Sequence, residues 1–202
     1  MVDELLNVVK DTPIIGGVEA QDPTHYDLKE LLSKFHDAGF SGIINFPTIG
    51  IYDKWRKMRE PMGLGWQREL EMMRTAHRMG IFQMAYVWNP EDAQDAARIP
   101  VDVVCAHAGG TSGGLVGYEA APVAEGAKKV QEIIEATKEV NSDIICLAHG
   151  GAFEKPNDTT YLYENTDALG FVGASSIERI PVEKAIIEAV EKFKSIPVRE
   201  KK

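Results

Sequence analysis

Basic residues are scarce in this chain. Its 22 Lys and Arg against 31 Asp and Glu leave a formal net charge of -9 over 202 residues. Nucleic acid and anionic membrane surfaces attract proteins through an excess of cationic side chains, so neither is expected as a partner. A small anionic substrate remains open, because a local site can oppose the global sign. Cysteine is nearly missing: Cys105 and Cys146 are the only two. Side chains alternate along a strand, so Cys105 shares a face with His107 whereas Cys146 lies opposite in facing to His149. The thiols are therefore expected in different layers, unpaired, as small buried hydrophobes. No apolar run reaches the roughly 20 residues of a membrane span, and Met1-Val2-Asp3-Glu4 lacks the basic start of a signal peptide. A cytoplasmic protein is expected. Also absent is a strand-Gly-x-Gly-x-x-Gly-helix fingerprint, which leaves a dinucleotide site without support.

What is present is an ordinary globular composition, 44% hydrophobic and 26% charged. It is enough for one sizeable core, and residues 1–202 read as a single domain. One phrase occurs twice. Val103-Val104-Cys105-Ala106-His107-Ala108-Gly109-Gly110 returns as Ile144-Ile145-Cys146-Leu147-Ala148-His149-Gly150-Gly151. Each copy is a short apolar run ending in Ala-His and then glycine, the pattern of a strand buried on both faces. A helix-like segment separates them, so the strands are expected to be parallel neighbours joined by a right-handed crossover. Their C-terminal ends would then bring His107 and His149 to one rim, where α/β architectures bind ligands.

The rest of the chain keeps the same rhythm. Strands are expected over Ile14 to Val18, Gly42 to Thr48, Ile81 to Trp88, Val101 to Ala106, Asp143 to Ala148 and Gly170 to Ala174. Helices are expected over Asp3 to Lys10, Tyr26 to Ala38, Trp66 to Arg78, Glu91 to Ala97, Pro122 to Val140 and Pro181 to Ile196, with a short piece at Tyr161 to Glu164. Ile49 to Gly65 is the longest irregular connection, a lid or binding segment or else a surface helix of low regularity. Its cations from Lys54 to Arg59 suit a solvated face. Six strand-helix units at this spacing indicate a parallel α/β fold. Every strand ends in a candidate site residue, Glu19, Asn45, Asn89, His107, His149 or Ser175, which favours a barrel over an open sheet with one switch point.

Several of these side chains carry chemistry. Two imidazoles near neutral pKa can hydrogen-bond an anion and move its proton. The loop Gly109 to Gly117 can offer backbone N–H groups to a phosphate or carboxylate, with hydroxyls from Thr111 and Ser112. Ser175 and Ser176 lie after the last strand, where barrels often bind phosphate, or else cap the next segment. Arg179 supplies a bidentate fork for an anion. Glu19, Asp22 and Asn45 are oxygen ligands of the kind Mg²⁺ prefers, although no paired-carboxylate motif accompanies them. Zinc through His107, His149 and Glu19 lacks a recognised spacing.

The longer motifs Asn45-Phe46-Pro47-Thr48-Ile49-Gly50, Ala106-His107, Thr111-Ser112-Gly113-Gly114, His149-Gly150-Gly151 and Gly173-Ala174-Ser175-Ser176-Ile177-Glu178-Arg179-Ile180-Pro181 resemble the phosphoenolpyruvate hydrolase-like family, also described as TIM-barrel signal transduction proteins. The resemblance implies a TIM-barrel-like fold related to the phosphoenolpyruvate- and pyruvate-binding enzymes. It implies a hydrolase or lyase acting on an enolpyruvyl or 2-oxo acid, with Mg²⁺ as a cofactor. Catalysis would fall to His107, His149 and Glu19, and substrate binding to Asn45, Thr111, Ser112, Gly113, Gly114, Gly150, Gly151, Ser175, Ser176 and Arg179. Aligned this way, Ile14 to Val18 looks like the third barrel strand, so about six of eight units are expected, with open edges at the first and last strands. Another copy completing the layer in a homo-oligomer, closure as a smaller barrel or open sheet, and a fragment of a split gene all fit. The alternative to an enzyme is a non-catalytic ligand-sensing or assembly module.

Overall fold

Short apolar strands alternating with amphipathic helices bury both strand faces only if the helices line one side of a parallel sheet. A computed structural model, describing residues 2–51 and 53–198, shows this arrangement. The strands are β1 (Ile15–Gly17), β2 (Gly42–Ile44), β3 (Phe82–Val87), β4 (Val103–His107), β5 (Ile145–His149) and β6 (Gly170–Val172). The helices are α1 (Leu28–Ala38), α2 (Asp53–Arg59), α3 (Trp66–Arg78), α4 (Pro90–Ala97), α5 (Val123–Val140), α6 (Pro156–Asn165) and α7 (Ile180–Lys194). All five strand pairings are parallel and the spatial order is β1-β2-β3-β4-β5-β6. A doubly wound sheet reverses its order at a switch point; this one never does. The sheet therefore curls in one direction into a partial TIM-type barrel, with β1 and β6 as its two edges.

The helix-side layer holds most of the core. Ala85, Val87, Val104, Ala106, Cys146 and Ala148 point outward beneath Ala93, Ala96, Val130, Ile133 and Ile134 of α4 and α5. Alanines on both partners let backbones approach closely, and each fully buried Val or Ile contributes about 2 kcal/mol. A smaller core joins Val18, Leu31, Leu32, Ile43, Met72 and Ala76 beneath α1 and α3. Helix α1 begins where the Asp27 carboxylate accepts the Lys29 and Glu30 N–H groups, and it stops at Gly39, whose φ of 100° suits glycine. On the other face, Met84, Tyr86, Cys105, His107, Leu147 and His149 share the concave side, as the register requires. Cys105 and Cys146 are free, buried and in different layers.

Three expectations need correction. Residues 2–8 form turns instead of a helix, since so short a segment lacks a packed face to offset nucleation. Strand β2 ends at Ile44 because the Asn45 side chain takes over the ladder, its Oδ1 accepting from Tyr86 N and its Nδ2 donating to Tyr86 O. Helix α6 starts earlier than expected, at Pro156, where the Asp158 carboxylate accepts the Glu154 and Lys155 N–H groups. The connection from Ile49 contains α2 flanked by 3-10 turns at Ile49–Ile51 and Glu60–Met62.

Candidate functional site

Strands β4 and β5 pair so that His107 lies directly opposite His149. Their ring centroids are 4.5 Å apart, edge to face, at the C-terminal rim. Tyr86 sits 5.1 Å from each ring, and Trp88 stacks on His107 at 3.7 Å. Tyr86 lies near the end of β3 and Trp88 just past it, two residues apart. The imidazoles are only 3% and 8% exposed. Burial disfavours the charged form, so His107 is pushed down to about 2, with the neighbouring His149 adding to the effect. His149 is also lowered by burial, partly offset by its bond to the Val172 carbonyl.

The neighbours also choose the tautomers. A backbone N–H can only donate, and Gly109 N donates to His107 Nδ1 at 3.2 Å, so that nitrogen carries no proton and Nε2 does. A carbonyl can only accept, and Val172 O lies 2.6 Å from His149 Nδ1, so the proton is on Nδ1 and the Nε2 lone pair is free. Two neutral rings in contact therefore present one N–H donor and one base. Both glycine-rich loops contribute to this arrangement. Ala108 N donates to His149 O, Gly151 N to Gly109 O and Ser112 N to Gly151 O, fastening one loop to the other. A side chain at Gly150 would strike Gly109 O, which is why glycine is needed there.

The remaining predicted residues are spread around this pair. The Ser112 hydroxyl donates to the Glu154 carboxylate, and Thr111 is buried. Arg179 donates to Gly113 O and pairs with Glu183 at 3.0 Å, so its guanidinium braces the loop against α7. Glu183 also accepts Leu115 N. Gly113 and Gly114 thus pass beside two carboxylates, Glu154 and Glu183. The Ser176 hydroxyl is buried without a partner among the described residues, and Ser175 lies 3.5 Å from Glu178.

Asn45 belongs to a second constellation, centred on Glu69. This carboxylate is fully buried, yet it accepts from Gln21 Nε2, Asn45 Nδ2, Thr48 Oγ1 and Ile49 N at 2.6–3.3 Å. Burial raises its pKa and the four donors pull the other way. Beside it opens a cavity of about 430 Å³ lined by Glu19, Gln21, Pro47, Thr48, Ile49, Trp55 and Arg59. Glu19 therefore lies in this cavity, and no described contact joins it to either imidazole. Arg56 of α2 turns to the buried Asp92 in a bidentate pair at 2.5–2.8 Å.

The oxygen set expected for Mg²⁺ does not converge. Asp22 is occupied by Thr24 and His25, Asn45 by Glu69 and Tyr86, and Glu19 faces the cavity. Among the described residues no group of three His, Cys, Asp or Glu gathers as a metal set. Sequence reasoning missed Tyr86, Trp88, Glu69, Trp55 and Arg59. Glu69 left a readable signal: a carboxylate on the apolar stripe of α3, between Trp66 and Leu70. Trp55 and Arg59 stand at i, i+4 in the connection read as a lid or binding segment or else a surface helix.

A fold of this kind recurs among solved structures. The chain superposes on a chain of the tryptophan synthase complex from Pyrococcus furiosus with a TM-score of 0.55, at 15% identity, over 96% of this chain and 70% of that one. At such identity the likeness speaks for the fold alone. Closer in sequence is the ToMV susceptible protein tm-1(GCR26) of Solanum lycopersicum, 40% identical over 97% of this chain and 26% of that protein. A putative transcriptional regulatory protein, y4pA, of Sinorhizobium fredii is 33% identical over 98% of this chain and 33% of its own length. The chain thus spans about a quarter to a third of these relatives. With the paired Ala-His strands, the partial barrel and a match from residue 1 to residue 196, the chain belongs to the phosphoenolpyruvate hydrolase-like family.

Proposed function

We propose that the rim of β4 and β5 performs proton transfer on an enolpyruvyl or 2-oxo acid. The observation that carries this reading is the complementary pair of neutral imidazoles. His149 Nε2, unprotonated and backed by the Val172 carbonyl, serves as the base. It removes a proton from C3 of a 2-oxo acid, or from a water attacking an enolpyruvyl ester. His107 Nε2–H, which stays neutral far below pH 7, donates to the oxygen on which negative charge develops. A charged imidazolium at that position would bind the ground-state carboxylate as readily as the enolate; a neutral donor favours the developing charge. Family membership supports this substrate class, as does the low polarity around the rings. Glu19 has no part in the transfer, and no metal is required by the steps assigned to these residues.

A second reading is supported by the near-complete enclosure of both rings. A module that binds an oxo acid without turning it over would keep the same rim, and the relatives whose names point to virus susceptibility and transcriptional regulation accord with such a role. Deuterium exchange separates the two. In D₂O, wild-type protein should exchange the C3 protons of pyruvate or a longer 2-oxo acid, and His149→Gln should lower that rate by about 10²-fold or more. Binding of the acid without exchange favours the sensing module; neither binding nor exchange removes both.

A further inference from the structure

The cavity beside Glu69 is built like a ligand site, yet it is separate from the imidazole pair. Its back wall is rigid. Three of its lining residues, Gln21, Thr48 and Ile49, are fixed by hydrogen bonds to the buried Glu69 carboxylate. Its rim carries two charges of opposite sign, Glu19 and Arg59. Neither has an ion-pair partner among the described residues, and they do not pair with each other. Arg59 is held over the Trp55 indole, its guanidinium carbon 5.5 Å from the ring centroid. The indole is half exposed, and with Pro47 and Ile49 it forms an apolar wall.

From this geometry we infer that the cavity binds a small zwitterion, an α-amino acid with an apolar or aromatic side chain, its ammonium on Glu19 and its carboxylate on Arg59. The volume of about 430 Å³ lies at the small end of ligand pockets, roughly 300–1,000 Å³. Ligands whose charge is of one sign fit less well. A dianion such as a phosphate ester meets Glu19, and a lone divalent cation finds one carboxylate where it needs several oxygens. The flat apolar wall accepts the side chain, and the charged rim reads both ends of the head group. This inference does not rest on the proton-transfer reading, because neither imidazole lines the cavity.

Calorimetric titration of the full chain tests it, with L-phenylalanine and L-leucine compared against 3-phenylpropanoate, which lacks the ammonium, and 2-phenylethylamine, which lacks the carboxylate. L-Phenylalanine should bind at least about ten-fold more tightly than either analogue. Glu19→Gln should abolish the preference over 3-phenylpropanoate, and Arg59→Gln the preference over the amine, while Arg59→Lys keeps part of it. Both positions are solvent-accessible, so melting temperatures should stay near wild type. Equal affinity for all four ligands, no binding of either amino acid, or unchanged L-phenylalanine affinity in both charge-removing variants would overturn the assignment. Either way the exchange experiment on the imidazoles is unaffected.

Discussion

The two ends of the rim treat charge in opposite ways. At β4 and β5, titratable groups are stripped of charge: two imidazoles lie between aromatic rings and stay neutral, each with its proton placed by one backbone group. At β1 and β2, acidic and basic side chains are gathered instead: Glu69 is buried among four donors, while Glu19 and Arg59 line a cavity with no ion-pair partner among the described residues. The lesson is that burial pushes both groups toward the neutral form but meets different resistance. His107 has a single hydrogen-bond donor, whereas Glu69 has four, which offset part of the rise in its pKa.

Removing the buried acid is the sharpest way to break this contrast. Glu69→Ala strands donors from Gln21, Asn45, Thr48 and Ile49, and at about 1 kcal/mol each, the loss should approach 4 kcal/mol in urea unfolding. Glu19→Ala, the exposed acid that lines the same cavity, should stay within about 0.5 kcal/mol. If the two variants melt alike, the network is not what holds the Asn45–Gly50 turn.

Acid should reveal the other end. Below about pH 6.5 an unfolded chain takes up protons that folded His107 refuses until about pH 2. The stability this ring contributes is therefore fully present above pH 6.5 and drains as pH falls toward 2, at about 1.4 kcal/mol per pH unit. His149, lowered in the same direction, adds to the slope. Urea titrations at pH 7, 6 and 5 should show this loss, and His107→Gln should flatten it. An identical slope in the variant would place the acid sensitivity elsewhere.

Much of this architecture is legible in the sequence. The two Ala-His phrases placed a pair of imidazoles at equivalent strand ends because a parallel register converts sequence repetition into spatial adjacency. The six strands were recognisable from their apolar runs bounded by glycine. What stayed hidden depended on partners distant in the chain. Arg179 reads as an anion fork, but its proximity to Gly113 and Glu183 gives the guanidinium a structural task. Asn45 reads as a rim ligand, yet its amide completes the β2–β3 ladder at Tyr86. Glu19 reads as a companion of the histidines because both end strands, but β2 and β3 lie between β1 and β4, and Glu19 lines the cavity beside Glu69. The cavity is not legible in the sequence because Trp55 and Arg59 belong to an irregular connection where periodicity carries little information.

The claim that two neutral rings offer one donor and one base is tested most directly by long-range ¹H–¹⁵N correlation of the histidine side chains at pH 7. His107 should show its proton on Nε2 and His149 on Nδ1, with neither titrating near 6.5. The same tautomer in both rings, or a midpoint near 6.5 for His107, would contradict the account.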